Sequence, residues 1–179
     1  MTLSEVKAVS GESGHFRVTI LQHPRYVDTE KCIACGLCAE KCPKKVFDDF
    51  NEGLVKRKAI YVPYAQAVPL KYAIDPERCI YLQKGKCGAC EKFCPSGAIN
   101  FQDRERIVER QVGAVILAPG FRSFDPSSLD FLAYGRCPDV VTAPEFERLL
   151  SAGGPTGGHL LTPSGRSAGV EPNRIAVNR

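Results

Sequence analysis

Two stretches of this chain alternate between apolar and polar residues in the manner of strands. Phe16-Arg-Val-Thr-Ile-Leu21 is rich in β-branched residues and follows the turn signal Gly11-Glu-Ser-Gly14. Arg106-Ile-Val-Glu-Arg-Gln-Val112 alternates well enough for a second strand. It runs directly into Gly113-Ala-Val-Ile-Leu-Ala118, a nearly continuous apolar run that predicts a fully buried parallel strand, ended at Pro119-Gly120. Between these stretches residues 44–73 read as irregular, with a turn at Asn51-Glu-Gly53. Ala59-Ile-Tyr-Val62 and Leu70-Lys-Tyr-Ala-Ile74 form short extended pieces beside Pro63 and Pro69. A short helix is predicted over Ala143 to Leu150, opened by Thr142. Residues 164–179 are expected to be poorly ordered, with one strand-like piece at Arg174-Ile-Ala-Val177.

Cysteine spacing changes the picture, because eight of the nine cysteines fall in two runs. The first is Cys32-Ile-Ala-Cys35-Gly-Leu-Cys38-Ala-Glu-Lys-Cys42-Pro43. The second is Cys79 followed, after seven residues, by Cys87-Gly-Ala-Cys90-Glu-Lys-Phe-Cys94-Pro95. The spacing C-x2-C-x2-C-x3-C-P is that of the bacterial ferredoxins, in which a tight loop aims three thiolates at a [4Fe–4S] cube and the fourth arrives from elsewhere. The runs are also a repeat. Val27-Asp-Thr-Glu-Lys-Cys32 matches Ile74-Asp-Pro-Glu-Arg-Cys79 at an offset of 47, and after a five-residue insertion the remaining three cysteines match at an offset of 52. Duplicated half-sites imply a pseudo-twofold, two-cluster domain in which each fourth cysteine crosses over. The expected ligand sets are therefore Cys32, Cys35, Cys38 and Cys94 for one cube, and Cys79, Cys87, Cys90 and Cys42 for the other. The alternatives are zinc, whose sites pair two C-x2-C knuckles and take four ligands, and disulfides, which need an oxidising compartment.

Composition narrows the function class. The net charge of +4 on 179 residues, a quarter of them charged, gives no field that argues for nucleic acid. Lys44, Lys45, Lys56, Arg57 and Lys58 read first as solvated surface, and secondarily as cations that offset the negative charge of a cube. No apolar stretch reaches membrane-spanning length, and Met1-Thr-Leu-Ser-Glu-Val-Lys7 has no apolar signal core, so a reducing cytoplasm is expected. Thirty residues between the half-sites suggest a loop that shields a cube or docks a partner. Cys137 stands alone and reads as an ordinary thiol. His15, His23 and His159 share no ligand spacing and read as polar surface. Tyr81 and Phe93 read as packing that keeps water off the cubes. Gly153 to Gly158 lacks the strand and helix of a phosphate-binding loop and reads as a flexible connector.

A longer set of strings resembles the iron–sulfur and FAD-carrying A-type subunits of heterodisulfide reductase. Besides the cysteine runs these are Ser4-Glu-Val, Gly14-His-Phe-Arg-Val, Pro24-Arg-Tyr-Val-Asp, Asn51-Glu-Gly-Leu, Arg57-Lys-Ala-Ile-Tyr-Val-Pro and Gln66-Ala-Val-Pro. Val112-Gly-Ala-Val-Ile-Leu-Ala-Pro-Gly-Phe, Val140-Val-Thr-Ala-Pro-Glu-Phe-Glu-Arg-Leu-Leu and Gly154-Pro-Thr-Gly-Gly-His extend it to about residue 163.

The resemblance implies an α+β fold, with a bacterial-type two-cluster ferredoxin module inserted between strands of an incomplete thioredoxin-reductase-like FAD domain. On that division residues 1–27 are a strand-containing flank and 28–100 the ferredoxin module. Residues 101–120 are returning strands that neighbour Phe16–Leu21, and 121–179 a loop-rich connector. It further implies electron transfer through two [4Fe–4S] clusters. The implied partners are other subunits of a heterodisulfide-reductase-like complex and ferredoxin, hydrogenase or dehydrogenase electron donors. FAD belongs to the full-length family. Gly120 is the candidate flavin contact, although Pro119 stands where such flavoproteins carry threonine, removing a hydroxyl and an N–H. The family's Gly-x-Gly-x-x-Gly strand–turn–helix and its downstream nucleotide fold have no counterpart among these residues. The chain is therefore expected to be a fragment or truncated relative, not catalytically complete alone. A stand-alone ferredoxin-like adaptor and a flavoprotein completed by a partner chain are the rival readings.

Overall fold

The computed structural model describes residues 1–159 and 161–164. It divides into two compact units, one of residues 1–46 and 58–120, the other of Phe47–Arg57 with the chain from Phe121 onward. The flanking strands therefore share a unit with both cysteine runs, while 47–57 leaves the loop between the half-sites to join the second unit. The strand-like piece expected at 174–177 lies outside the described residues.

In the first unit, β1 (Ser4–Glu12) and β2 (His15–Gln22) form an antiparallel hairpin in which Glu12 faces His15. Gly14 takes a φ of +88° at the turn. At Gly11 a side chain would stand 2.3 Å from the His15 carbonyl oxygen, so that position admits only glycine. The third strand, β7 (Arg106–Val112), pairs with the other edge of β2, from Phe16 opposite Val112 to Gln22 opposite Arg106. The neighbouring of these two strands follows the sequence expectation. β1 was not anticipated: it is exposed throughout, so no face of it carries the apolar alternation that burial imposes.

Residues 113–118 correct the expectation of a buried parallel strand. They form no strand, and Ile116 and Leu117 are 91% and 87% exposed. A strand apolar on both faces needs a covering layer on each, and the three-stranded sheet β1–β2–β7 supplies none.

Between β2 and β7 the chain builds the cysteine-bearing core. It contains α1 (Leu37–Lys41), the two-residue strands β5 (Ile60–Tyr61) and β6 (Ala73–Ile74), which pair antiparallel, and the single-turn helices α2 (Ile80–Lys84) and α3 (Ala89–Lys92). β3 (Lys45–Phe47) and β4 (Lys56–Lys58) make a two-stranded ribbon. Val27, Ile60, Ile74, Ala98, Ile99 and Phe101 pack together with Cys32, Cys38, Cys79 and Cys90, so cysteines make up much of the core. The ends of this region are clasped: Asp28 N–H donates to the Ala98 carbonyl at 2.7 Å and Asn100 N–H to the Tyr26 carbonyl at 2.9 Å.

In the second unit, α4 (Ala143–Leu150) begins with a complete capping box between Thr142 and Glu145, as the sequence predicts. Tyr134 donates to the same Glu145 carboxylate at 3.0 Å. The turn at residues 51–53 is present, with Glu52 and Gly53 both in the left-handed region. Arg57 departs from its reading as solvated surface. Its side chain is only 12% exposed and lies against Asp48 and Asp49 at 3.9 and 3.6 Å.

Candidate iron–sulfur site

Each cysteine run is prepared by the same local device. An aspartate carbonyl accepts the N–H of the run's first cysteine, Asp28 for Cys32 and Asp75 for Cys79, both at 2.9 Å. The same aspartates' carboxylates accept Glu30 N–H at 2.9 Å and Glu77 N–H at 3.1 Å, locking each approach turn. A glycine then opens the short helix within each run, Gly36 at φ +86° and Gly88 at φ +84°. In each run the first and third cysteines are buried, the second is exposed and the fourth is partly buried.

Two cavities result. One, of about 340 Å³, is lined by Cys42, Cys79, Cys87 and Cys90 together with Ile60, Ile74 and Tyr81. The other, of about 300 Å³, is lined by Cys32, Cys35, Cys38 and Cys94 with Val27, Tyr72 and Ile99. Each thus brings three cysteines of one run together with the last cysteine of the other. Among the described residues, no three His, Cys, Asp or Glu side chains converge as they would around a single metal ion. Four thiols spread around an apolar cavity suit a multi-iron cube, in which each iron takes one thiolate and inorganic sulfide fills the centre.

The thiols show why a metal is needed here. Burial pushes Cys38 up to about 11, with nearby Cys32, Cys35 and Cys94 adding to the rise against the Ala39 N–H. Burial likewise pushes Cys90 up to about 12, and Cys79, Cys42 and Cys38 contribute. Such thiols stay protonated at neutral pH until bound iron replaces the proton. Cys94 differs. Burial acts to raise it, but N–H groups of Ala98, Ser96 and Gly97 and the Ser96 hydroxyl outweigh burial and leave it below the ordinary thiol value.

The segment between the runs closes over both cavities. Ala59 and Ile60 line the larger, and Tyr72 the smaller. Burial raises Tyr72, and charge on Cys38, Cys35 and Cys32 adds to it, so its hydroxyl keeps its proton. The Lys71 ammonium donates to the Cys32 carbonyl at 2.5 Å, and Lys58 donates to the Cys42 carbonyl. Lys58 therefore lies beside a cysteine run, not on open surface. Tyr81 lines the larger cavity and stacks on Phe101 at 3.8 Å between ring centroids. Phe93 does not serve as expected: it is half exposed, with Lys41 over its ring at 5.8 Å, and lines neither cavity. Tyr72, Lys71 and Ser96 had no sequence signal, because their placement depends on long-range folding.

The remaining candidates stay apart from the cavities. Gly120 is exposed at φ +72°, with open space where a side chain would stand. Cys137 is exposed. His23 sits at the surface between Glu105 at 3.0 Å and Glu5 at 3.8 Å. Among the described residues, no helix is long and apolar enough to cross a membrane.

Comparison with known proteins agrees with this geometry. Residues 31–98 match the 4Fe-4S dicluster domain. Over 98% of its length the chain is 45% identical to the A-type iron-sulfur subunit of the CoB–CoM heterodisulfide reductase of Methanocaldococcus jannaschii, covering 25% of that protein. It is 46% identical over 98% of its length to the first of two such A-type subunits of Methanopyrus kandleri, again covering 25% of it. It is 40% identical to the A-type subunit of the H(2):CoB-CoM heterodisulfide,ferredoxin reductase of Methanothermobacter marburgensis, over 98% of this chain and 26% of that one. The chain spans about a quarter of the length of these relatives. With nearly all of its residues so matched, and a dicluster domain at its centre, it belongs to the family of heterodisulfide reductase A-type subunits.

Proposed function

We propose that this chain is the two-cluster electron conduit of a heterodisulfide-reductase-like oxidoreductase. Cys32, Cys35, Cys38 and Cys94 hold one [4Fe–4S] cube, and Cys79, Cys87, Cys90 and Cys42 hold the other. The observation that carries this reading is the sorting of eight cysteines into two cavities, each completed by the last cysteine of the opposite run. When bound, each cube supplies reversible one-electron storage. The chain's own residues hold it with thiolates and exclude water through Ile60, Ile74, Tyr72 and Tyr81. Cys35 and Cys87, the exposed members of the two sets, face the solvent side where a redox partner approaches.

The sheet β1–β2–β7 is the part of a thioredoxin-reductase-like FAD domain into which the cluster module is inserted. Its support is that β2 and β7 lie side by side while the whole module is strung between them. Electrons come from ferredoxin or from hydrogenase- or dehydrogenase-type donors and leave toward other subunits of the complex, in a reducing cytoplasm. Flavin does not bind tightly to this chain alone, because its pyrophosphate needs glycine N–H groups at a helix N-terminus after a strand. Stoichiometric FAD in the purified chain would overturn that part.

Metal analysis tests the core of the reading. Anaerobically prepared protein is expected to hold about eight irons and about eight acid-labile sulfides. Zinc without labile sulfide would overturn it.

A further inference from the structure

The two cavities treat their crossing cysteines differently. The Cys94 sulfur accepts the Ala98 N–H at 3.3 Å and has the Ser96 hydroxyl at 3.6 Å. The Cys42 sulfur instead faces the Lys44 carbonyl oxygen at 3.7 Å. Ser96 and Lys44 hold the same place in the repeat, two residues after the last cysteine. A serine side chain is short enough to fold back onto the preceding sulfur; at the lysine, the group that meets the sulfur is the main-chain carbonyl.

We infer that the centre held by Cys32, Cys35, Cys38 and Cys94 accepts electrons at the more positive potential, with Ser96 and the Ala98 N–H as the groups that set it apart. This rests on the crossed ligand sets proposed above. Reduction adds one negative charge to a cube and spreads it onto the ligating sulfurs. Donors aimed at a sulfur favour that added charge, and a carbonyl oxygen aimed at a sulfur opposes it. The nearby cations are closely matched. Lys71 on the Cys32 carbonyl has Lys58 on the Cys42 carbonyl as its counterpart. Arg25, which donates to the Lys71 and Tyr72 carbonyls at 3.2 Å, is balanced by Lys44 on the wall of the other cavity. These charges act at a residue's remove and through solvent, so the groups touching the sulfurs decide the order. An electron reaching the Cys79, Cys87, Cys90 and Cys42 centre therefore moves to its neighbour: the first cube is oxidised by one electron, the second reduced by one, and no proton is required.

A redox titration of the cluster-loaded chain, followed by electron paramagnetic resonance, tests this. Two separated midpoints are expected. Ser96→Ala should lower the more positive one, with about a tenfold loss in the reduced-to-oxidised ratio at fixed potential, or about 59 mV for one electron. Ser96→Thr keeps the hydroxyl and should restore most of the shift. Lys58→Met should lower the more negative midpoint instead. The inference is overturned if Ser96→Ala moves the more negative midpoint or neither. It is equally overturned if the substitution costs iron while the remaining signal keeps its potential, which would make Ser96 merely structural. Iron and sulfide content of the unsubstituted chain judges the two-cube reading separately.

Discussion

The two half-sites are near copies in backbone and unlike in what touches their sulfurs. Asp28 and Asp75 make the same turn, Gly36 and Gly88 the same left-handed start, and the four cysteines of each run follow the same order of burial. Against that symmetry, Cys94 receives N–H and hydroxyl groups while Cys42 meets a carbonyl. The lesson is a division of labour. Repeated main-chain geometry creates two equivalent sockets, and a few unrepeated residues make them chemically distinct.

The strongest way to break this comparison is to remove one ligand from each run. Cys42→Ser is expected to damage the cube shared with Cys79, Cys87 and Cys90, and Cys35→Ser the cube shared with Cys32, Cys38 and Cys94. Serine is a harder, poorer ligand, so the affected cube should lose iron or become labile. Paired spectroscopy on the two variants decides the matter: damage to the same cube in both would mean local, uncrossed ligation.

A smaller effect probes an anchor belonging to the first half-site. The Asp103 carboxylate accepts the N–H groups of Arg25 at 2.9 Å and Tyr26 at 3.3 Å, and the Arg106 guanidinium at 3.1 Å. Burial acts to raise this carboxyl, but those donors outweigh burial and hold it below the usual aspartate value. The unfolded chain therefore binds the proton more readily, and the anchor's contribution is fully present above about pH 4 and lost as pH falls through the lower folded value. Asp103→Ala should cost about 2 kcal/mol at neutral pH, with two backbone donors left unpaired. Denaturant unfolding of both proteins should show that difference shrinking in acid; a constant difference would contradict the assignment.

The smallest effects test the symmetry itself. Gly36→Ala and Gly88→Ala each place a side chain at positive φ, costing about 1–2 kcal/mol. Their nearest neighbours, the Tyr72 hydroxyl at 3.5 Å and Tyr81 Cδ2 at 3.9 Å, add only ordinary contact. Equal losses are expected in the denaturant midpoint of cluster bleaching. A clearly larger loss at one glycine would show the half-sites to be less alike than their backbones.

What could be read in the sequence follows from how each feature is encoded. Metal-binding spacing and repeat structure are local, so the cysteines, the short strands β5 and β6 and the capped helix α4 were legible. β1 was not, because a strand held by main-chain pairing in solvent leaves no apolar rhythm. The 113–118 run misled for the opposite reason: its composition signals burial, but burial depends on layers these residues do not meet. Ser96, Lys71 and Tyr72 carry their roles only after residues 39 or more positions apart in sequence, such as Cys32 and Lys71, have met.

The pairing of Gln22 with Arg106 makes β2 and β7 a hairpin whose loop is the entire cluster module. An open loop of that length would close slowly and against a large entropy of contact formation. Here the loop closes itself, because Tyr26 and Asp28 are already clasped to Ala98 and Asn100 once the module has folded. Folding of the module is in turn coupled to filling its cysteines. Iron–sulfur delivery thus becomes a timing signal for the flanking sheet, which zips into register only after the chain between its strands has matured.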